Sequence, residues 1–447
     1  MVTSSAPTRT KSVELLIERL IPGGDGLATL NGLKVFVPFA APEERVKARI
    51  VLQKSDYAVA QIEEIIEPSP LRRKPACPYF GRCGGCQLQH ISYPGQLVIK
   101  KLLVNDSLQH IGGIFVPVDN IRFQSSEWRY RNKTQYPVRR RKQLQIGFYE
   151  KGSHRLIDIP VCLLHPEGFD HLRQYLSAII TLSREQVYDE RRHQGNIRHI
   201  ILRQGANDTF LIVIVTRTSS LSKALVKALA DFPQITGVVQ SINPEPTNRI
   251  LGSQMKTLYG REFITQEVLG KKFRVSAGSF FQVNLAQAEE LARRVLKAAM
   301  PTGTETVVDL FSGVGMLSLV LAERVKRVTG IEIDHRAVAD ARYNAEIQGV
   351  KNVEFIEGDV DNAIAGIERA DIVIIDPPRK GCSPQTIAQI VRLNPQLIIY
   401  ASCNPATLTR DLVLLQGLGY NCQQVEPLDM FPQTAHIEVV VRVVREK

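Results

Sequence analysis

A single cysteine stands where a strand of this sequence should end. Cys403 directly follows the apolar run LIIY in the stretch YASCNPATL, and Asn404 and Pro405 come next. A strand that ends at such a turn holds its thiol at the rim of a sheet. Accessible thiolates act as nucleophiles, whereas buried thiols are inert core residues. The position of Cys403 favours a nucleophile, and the core interpretation stays open on these residues alone.

A second group of cysteines has the composition of a metal site. Three of the seven cysteines crowd into the segment CPYFGRCGGCQLQH with the spacing C-x5-C-x2-C, and a fourth follows in DIPVC. Four thiolates hold either zinc or an iron–sulfur cluster. Zinc knuckles usually pair two C-x2-C arms, so the unequal arms favour iron–sulfur, while zinc and unrelated cysteines stay open. The candidate ligands are Cys77, Cys83, Cys86 and, as a more distant member, Cys162.

Polar residues also fall at the ends of five apolar runs near the C-terminus. The runs are TVVDL, RVTGIEID, NVEFIEGD, ADIVIIDPP and PQLIIYASC, and helical stretches separate them. From about Ser276 onward, this alternation predicts a doubly wound parallel sheet, which binds ligands at the carboxyl ends of its strands. We therefore expect one site to be lined by Asp309, Glu332, Asp359, Asp376 and Cys403.

The glycines after the first of these runs indicate the cofactor class. Gly313 and Gly315 form a G-x-G that lacks the third glycine of the dinucleotide fingerprint. Glu332 ends the next strand, where a carboxylate can bind ribose hydroxyls, and Asp359 ends the third, near the position of an adenine. S-adenosylmethionine fits this pattern better than a dinucleotide, and NAD remains the competing interpretation.

The segment DPPRKG, from Asp376 to Gly381, forms the next candidate site element. Two prolines directly after a strand make a stiff loop, which could hold a flat base over the cofactor. Asp376 could accept hydrogen bonds from a pyrimidine edge, and Arg379 could contact a phosphate. An ordinary proline-rich turn is the alternative.

A basic segment indicates a nucleic-acid partner. The net charge is +11, and residues 121–155 hold ten Lys or Arg against two Glu, a net charge of +8. Aromatic residues alternate with these cations, as in proteins that pair phosphates and stack bases. A solvated basic face is the alternative. The candidate RNA contacts are Trp128, Arg129, Arg131, Lys133, Arg139, Arg140, Arg141 and, from the proline-rich loop, Arg379.

The remaining composition is that of an ordinary globular protein. A chain of 447 residues with 44% hydrophobic residues has room for several domains. No apolar run is long enough for a membrane span, and the N-terminus lacks the apolar core of a secretory signal, so we expect a cytoplasmic protein. Short alternating strands and glycine-rich turns between about residues 11 and 68 predict a small barrel of the oligonucleotide-binding kind.

Five segments together resemble a known family. In chain order, FGRCGGCQLQH, FFQVN, DLFSGVG, DPPRKG and YASCNP are similar to segments of the bacterial RNA (uracil-5-)-methyltransferases, above all the 23S ribosomal RNA enzymes with a TRAM domain and a 4Fe-4S cluster. The resemblance implies an α/β chain of three parts. These are an N-terminal TRAM, OB-like β-barrel (1–68), a central α+β iron–sulfur RNA-binding domain (69–92 and 121–270) and a Rossmann-like class I methyltransferase domain (93–120 and 271–447).

The same resemblance assigns roles to individual residues. It makes Cys403 the nucleophile and Glu438, in TAHIEVVV, the general base. The cluster ligands would be Cys77, Cys83, Cys86 and Cys162. Contacts to cofactor or base would come from Gln282, Phe311, Gly313, Gly315, Glu332, Asp359 and Asp376. Two positions differ from many relatives, Met316 where Asn is frequent and Ser312 where Cys is frequent.

These residue types suit methylation of uracil at carbon 5. A thiolate that adds to carbon 6 makes carbon 5 nucleophilic, a carboxylate then removes the carbon 5 proton, and the base must leave its stack. The resemblance implies a monomer that acts on structured RNA, with 23S ribosomal RNA favoured over transfer RNA and no membrane partner. A catalytically silent RNA-binding protein and an iron–sulfur redox enzyme are the alternatives. Cys382 and Cys422 are expected to be structural.

Overall fold

The computed structural model describes residues 12–122 and 126–446. The first eleven residues, where the sequence predicts no secretory signal, lie outside the described residues. Within the described ranges, no helix combines the length and the apolar character that a membrane crossing requires.

The N-terminal region forms a six-stranded sheet, in the part of the chain where the sequence predicts short alternating strands. Its strands are β1 (Ser12–Leu16), β2 (Arg19–Leu20), β3 (Gly26–Leu30), β4 (Leu33–Val37), β5 (Arg45–Gln53) and β6 (Tyr57–Glu67). They lie in the order β1-β5-β6-β4-β3-β2. The backbone N–H of Glu18 donates to the carbonyl of Leu27 at 2.8 Å, which draws the chain after β1 towards β3 at the other end of the sheet.

The central region is a second sheet with helices on it. After helix α1 (Tyr93–Gly112), its elements are β7 (Lys133–Arg140), β8 (Leu144–Tyr149), β9 (Leu156–Asp158), α2 (Glu167–Leu182), β10 (Ile197–Gln204), β11 (Phe210–Thr216), α3 (Lys223–Ala230), β12 (Ile235–Ile242) and β13 (Gln254–Gly260). Seven described strands pair in the order β13-β12-β11-β10-β7-β8-β9. The hairpin β14 (Phe263–Val268) and β15 (Lys271–Ser276) then leads to α4 (Leu285–Ala299).

The C-terminal region alternates strands and helices. Its elements are β16 (Thr306–Leu310), α5 (Met316–Ala322), β17 (Arg327–Glu332), α6 (His335–Ile347), β18 (Val353–Glu357), α7 (Val360–Ala363), β19 (Ile372–Ile375), α8 (Pro384–Arg392), β20 (Leu397–Ser402), α9 (Pro405–Gln416), β21 (Tyr420–Leu428) and β22 (Glu438–Arg445). The sheet order is β18-β17-β16-β19-β20-β22-β21. The first five strands in that order are parallel, and β22 runs antiparallel to β20.

Helix α1 fastens the preceding regions to this sheet. Its residues Val104 and Leu108 belong to the same buried apolar cluster as strands β19, β20 and β22. At its other end, Ile99 and Leu103 pack with Leu88 of the cysteine-rich segment. Since Leu20 and Ala41 belong to that second cluster, one helix joins the N-terminal region and the cysteine-rich segment to the C-terminal sheet.

A buried ion pair lies at the centre of this junction. The ammonium group of Lys100 on α1 donates to Oδ1 of Asp429, and the hydroxyl of Tyr93 donates to Oδ2 at 2.9 Å. Lys100 and Asp429 are almost wholly buried. Two buried charges offset their desolvation only while both are present.

We expect Lys100→Met to lower the melting temperature strongly, because it leaves the Asp429 carboxylate buried without its cation. Breaking a buried pair in this way costs about 3 kcal/mol or more. Lys100→Met combined with Asp429→Leu should lose less than the sum of the two single variants. Thermal denaturation of all four proteins measures this coupling, and strictly additive losses would contradict it.

Candidate functional site

The turn that carries Cys403 is fixed by its own polar side chains. Strand β20 ends at Ser402, and α9 begins at Pro405. The side-chain oxygen of Asn404 caps the helix by accepting the backbone N–H of Ala406 at 3.2 Å. The backbone N–H of Asn404 donates to the Ser402 hydroxyl at 3.2 Å. The thiol is half-buried and lines a cavity of about 220 Å³.

The proline-rich loop is tied to this turn through one carbonyl. The carbonyl oxygen of Arg379 accepts hydrogen bonds from the Asn404 amide at 3.0 Å and the Thr407 hydroxyl at 3.2 Å. The Arg379 guanidinium is exposed and lies 3.1 Å from the Nδ1 atom of His436. These bonds hold the loop after Asp376 against the Cys403 turn.

The reversed strand brings Glu438 to the same edge of the sheet. Ser402 pairs with Val439 in the ladder between β20 and β22. Cys403 follows Ser402 and Glu438 precedes Val439, so the two meet at the end of the ladder. Glu438 is buried, and its charge reaches Cys403.

The electrostatics of this corner favour protonated groups. Burial raises the pKa of Cys403 to about 11, Glu438 and Asp376 raise this pKa as well, and Arg379 lowers it. Burial raises the pKa of Asp376 to about 7, with a contribution from Asp309. Burial and Asp376 also raise the pKa of Glu438 well above its ordinary value. A cation next to these groups would therefore favour their ionised forms.

The glycine turn holds unpartnered polar atoms. Asp309 is buried, its Oδ2 atom accepts the Ser318 hydroxyl at 2.5 Å, and its Oδ1 atom has no partner among the described residues. The buried hydroxyl of Ser312 likewise has no partner there. Gly313 has φ +56°, and a Cβ at this position would meet open space. A ligand with hydrogen-bond donors would satisfy these atoms.

The other predicted cofactor residues surround the same edge. Glu332 accepts the N–H of Gly313 at 3.0 Å and the N–H of Asp334 at 2.8 Å, so the carboxylate is oriented by backbone. Phe311 adopts φ +63°, a strained conformation for a residue with a side chain. Gln282 is buried, and Asp359 is exposed and caps α7.

Both positions that differ from relatives have a defined environment. Met316 is buried in an apolar cluster at the start of α5, so its side chain serves packing. Ser312 holds one of the unpartnered hydroxyls described above. The two cysteines expected to be structural lie elsewhere, Cys382 buried beside the hydroxyl of Tyr400 and Cys422 half-buried in β21.

Four free cysteines, Cys77, Cys83, Cys86 and Cys162, lie close enough together to influence the ionisation of one another's thiols. Burial, with smaller contributions from the thiols of Cys162, Cys83 and Cys77, raises the pKa of Cys86 to about 12. The N–H of Gly85 donates to the Cys83 sulfur at 3.4 Å. In the part of the chain that the structure describes, no group of three or more His, Cys, Asp or Glu has the arrangement to hold a metal ion.

The predicted RNA contacts divide into engaged and free cations. Arg129 donates to Asp170 at 2.8 Å and to the carbonyl of Cys162 at 3.1 Å, so it supports the cysteine loop. Arg139 donates to Glu190 at 3.1 Å. Arg140 and Arg141 are exposed, and Trp128, Arg131 and Lys133 are half-buried. Burial, with Arg203 and Arg131, lowers the pKa of Lys133 to about 7.

The structure adds detail to one predicted lining residue, Asp309, and brings in one residue that the sequence did not predict, His436. Asp309 stands at a strand end, and only the structure reveals its unpartnered oxygen. His436 packs edge-on against Phe431, and burial, with Arg379, lowers the pKa of its imidazole to about 4. In the sequence, the position of His436 two residues before Glu438 could have indicated that it lies at the site.

Comparisons with known proteins agree with this geometry. A family model described as tRNA (uracil-5-)-methyltransferase matches residues 248–446. An uncharacterized RNA methyltransferase of Halalkalibacterium halodurans is 41% identical over 98% of each chain. One of Listeria monocytogenes serotype 4b is 40% identical over 97% of each chain, and one of Gloeobacter violaceus is 39% identical over 99% of each.

A solved structure extends the likeness to the whole fold. The tRNA (uracil-54, C5)-methyltransferase of Pyrococcus abyssi, in complex with S-adenosyl-L-homocysteine, superposes with a TM-score of 0.78 at 28% identity. The match covers 97% of the present chain and 100% of that one. On sequence over its full length and on fold, the chain belongs to the RNA (uracil-5-)-methyltransferase family.

Proposed function

We propose that this enzyme transfers a methyl group from S-adenosylmethionine to carbon 5 of a uridine in RNA, with 23S ribosomal RNA as the first candidate. The observation that carries the proposal is the meeting of Cys403, Glu438 and Asp376 at one edge of the sheet. A nucleophile, a base and a second carboxyl group are the set that this reaction needs.

In the proposed reaction, each of these side chains acts at a different step. The Cys403 thiol first loses its proton to solvent. The thiolate then adds to carbon 6 of the uracil, and the electron pair of the carbon 5–carbon 6 double bond moves to carbon 5 and the carbonyl. Asp376 orients the ring by hydrogen bonding to its edge. When bound, S-adenosylmethionine would supply the methyl group for carbon 5, the bond between the sulfonium sulfur and the methyl group would break, and S-adenosylhomocysteine would leave. Glu438 then takes the carbon 5 proton, the double bond re-forms, and the sulfur of Cys403 leaves.

The glycine-turn residues fit the cofactor. The unpartnered oxygens of Asp309 and Ser312 suit an amine donor, the oriented Glu332 carboxylate suits ribose hydroxyls, and Asp359 is exposed for an adenine. The proposed contacts are Gln282, Phe311, Gly313, Gly315, Glu332, Asp359 and Asp376. A positively charged sulfonium beside Asp376 would also lower the pKa of Cys403.

The RNA class rests on the family resemblance and on charge. We propose 23S ribosomal RNA because the cysteine-rich segment, DPPRKG and YASCNP together resemble those enzymes, and we assign the N-terminal sheet as a TRAM, OB-like domain. Transfer RNA is the second candidate, favoured by the full-length likeness to the Pyrococcus abyssi enzyme. The exposed cations Arg140, Arg141 and Arg379 suit either RNA.

We also propose a 4Fe-4S cluster on Cys77, Cys83, Cys86 and Cys162. The proposal rests on the family resemblance and on the proximity of four free thiols from distant segments, although among the described residues these side chains do not themselves have a metal-binding arrangement. The group would be structural, because Arg129 of the basic segment binds the Cys162 carbonyl. No step of the methyl transfer needs electrons from it.

Labelled methyl transfer tests the reaction and the nucleophile together. Wild type and Cys403→Ala are incubated with labelled S-adenosylmethionine and either unmodified 23S ribosomal RNA or bulk transfer RNA. We expect label in 5-methyluridine with wild type and a loss of at least about 10³-fold with Cys403→Ala, because the covalent step is lost. Cys422→Ala should retain activity. Equal labelling by Cys403→Ala would contradict the mechanism.

Thiol reactivity checks the electrostatics of the site. Because the pKa of Cys403 is raised to about 11, its thiolate fraction should keep rising from pH 7 to pH 10. Alkylation by iodoacetamide, followed by mass spectrometry of the Cys403 peptide, should therefore accelerate throughout that range. Arg379→Gln should slow it, because Arg379 lowers this pKa. The neighbouring exposed Lys380, as Lys380→Gln, is the control, and a plateau below pH 9 would overturn the assignment.

Removal of one cluster cysteine tests the metal proposal. We expect Cys86→Ser to contain less iron and acid-labile sulfide than wild type and to melt at a lower temperature, because the bound group joins distant segments. Cys422→Ser, a half-buried cysteine in β21, should change neither. Zinc in the purified wild-type protein, in place of iron and sulfide, would refute the cluster type.

A further inference from the structure

The central sheet carries a second cavity far from Cys403. It measures about 480 Å³ and lies between the end of β7 and the 183–196 loop that precedes β10. The residues that matter for its chemistry are Arg140, Arg184, Arg192, Glu185 and Asp189. No part of the proposed methyl transfer uses it.

Its arginines are free, whereas its acids are engaged. Across the described residues, no carboxylate pairs with the guanidinium groups of Arg140, Arg184 or Arg192. Asp189 accepts the backbone N–H of Arg191 at 2.9 Å and that of Arg192 at 3.3 Å. Glu185 accepts the backbone N–H of Ser222.

The surroundings are strongly basic. Residues 139–142 and 183–195 hold seven Lys or Arg and three acids, a net charge of +4. One of those acids, Glu190, pairs with Arg139 and the His154 ring. The cavity lining itself carries the guanidinium groups of Arg140, Arg184 and Arg192 against the carboxylates of Glu185 and Asp189, a net charge of +1 within these more basic surroundings.

The loop that forms the cavity is held in one shape. Arg184 and His193 adopt φ +55° and +51°, which are unusual for residues with side chains. Gly195 has φ +86°, and a Cβ there would lie 2.2 Å from the Val187 carbonyl. The Tyr188 hydroxyl lies 2.6 Å from the Nδ1 atom of His193. A preformed cationic cavity loses little entropy when it binds an anion.

The cavity lies at the end of β7 that points away from the methyltransferase site. At the near end, the N–H of Asn132 donates to the carbonyl of Val283, beside Gln282. Arg140 lies seven positions after Lys133 along β7. At ~3.3 Å per residue, this length of strand spans about 23 Å. A ligand that fills the cavity therefore occupies a different position from the target base.

We propose that this arginine cavity binds a phosphodiester group of the substrate RNA, remote from the methylated uridine. Guanidinium groups bind phosphate oxygens in bidentate pairs. Contacts of this kind position RNA without reading its sequence. The inference rests on the proposed function, which supplies RNA as the ligand. It adds the requirement that the RNA be long enough to reach both the arginine cavity and the Cys403 site.

A triple variant tests the cavity. Arg140→Gln, Arg184→Gln and Arg192→Gln are combined. Binding is measured to a long transcript, whichever of 23S ribosomal RNA and transfer RNA the wild type binds more tightly, and to a short uridine-containing hairpin from that transcript. We expect about 10-fold weaker binding of the long transcript, and a salt slope lower by about 1 for each phosphate that the variant no longer pairs. Binding of the hairpin, and turnover at saturating RNA, should be unchanged.

The control removes the same charge elsewhere. Arg324, Lys326 and Lys351 are exposed next to the amino ends of β17 and β18, on the side of the sheet opposite Cys403. Their combined change to Gln should leave binding of both RNAs unchanged. Equal losses in the two triple variants, an equal loss on the hairpin, or no loss at all would each overturn the cavity proposal. Absence of methyl transfer by wild type, with this binding pattern intact, would refute only the proposed function.

Discussion

The reversal of one strand is the constraint on which the site depends. If β22 ran parallel to its neighbours, Glu438 would begin at the opposite edge of the sheet from Cys403. The segment between β21 and β22 makes the reversal, and it is clamped along its length. Lys100 and Tyr93 hold Asp429 at its start. Gln433, wholly buried with φ +69°, exchanges hydrogen bonds with Gln96 on α1.

The same clamp links the cysteine-rich segment to catalysis. The carbonyl of Gln433 accepts the N–H groups of Gln87 at 3.1 Å and Leu88 at 3.0 Å, directly after Cys86. Its side chain contacts Arg73 and Glu127, which flank the cysteine-rich and basic segments. A displacement of the cysteine-rich segment would therefore move the chain that leads to Glu438. Positional coupling of this kind requires no electron transfer, since buried hydrogen-bonded groups have few alternative arrangements.

The sequence predicted what depends on periodicity and on strand ends. Apolar runs that end in polar residues and alternate with helical stretches predicted a parallel sheet. The five corresponding strands are parallel in the structure. The role of Glu438 came only from resemblance, because strand direction is a tertiary property that local pattern does not encode. The arginine cavity was also beyond prediction. Arg184 and Arg192 belong to a mixed-charge stretch, and only the fold brings them to Arg140 while their acidic neighbours turn to backbone N–H groups.

The distribution of charge explains how an RNA, which is a polyanion, could be bound by a protein whose proposed active site is lined by carboxyl groups. Asp309, Asp376 and Glu438 all have raised pKa values because burial disfavours their charged forms. A phosphate placed beside them would raise these pKa values further, whereas a cationic sulfonium would lower them and a neutral uracil would leave their charge state unopposed. The exposed arginines instead lie at Arg379, on the rim of the cavity beside the His436 ring, and at Arg140, about 23 Å along β7 from the near end of that strand. Binding of the RNA backbone and chemistry on the base are thus assigned to separate surfaces, which lets each have the sign of charge that it needs.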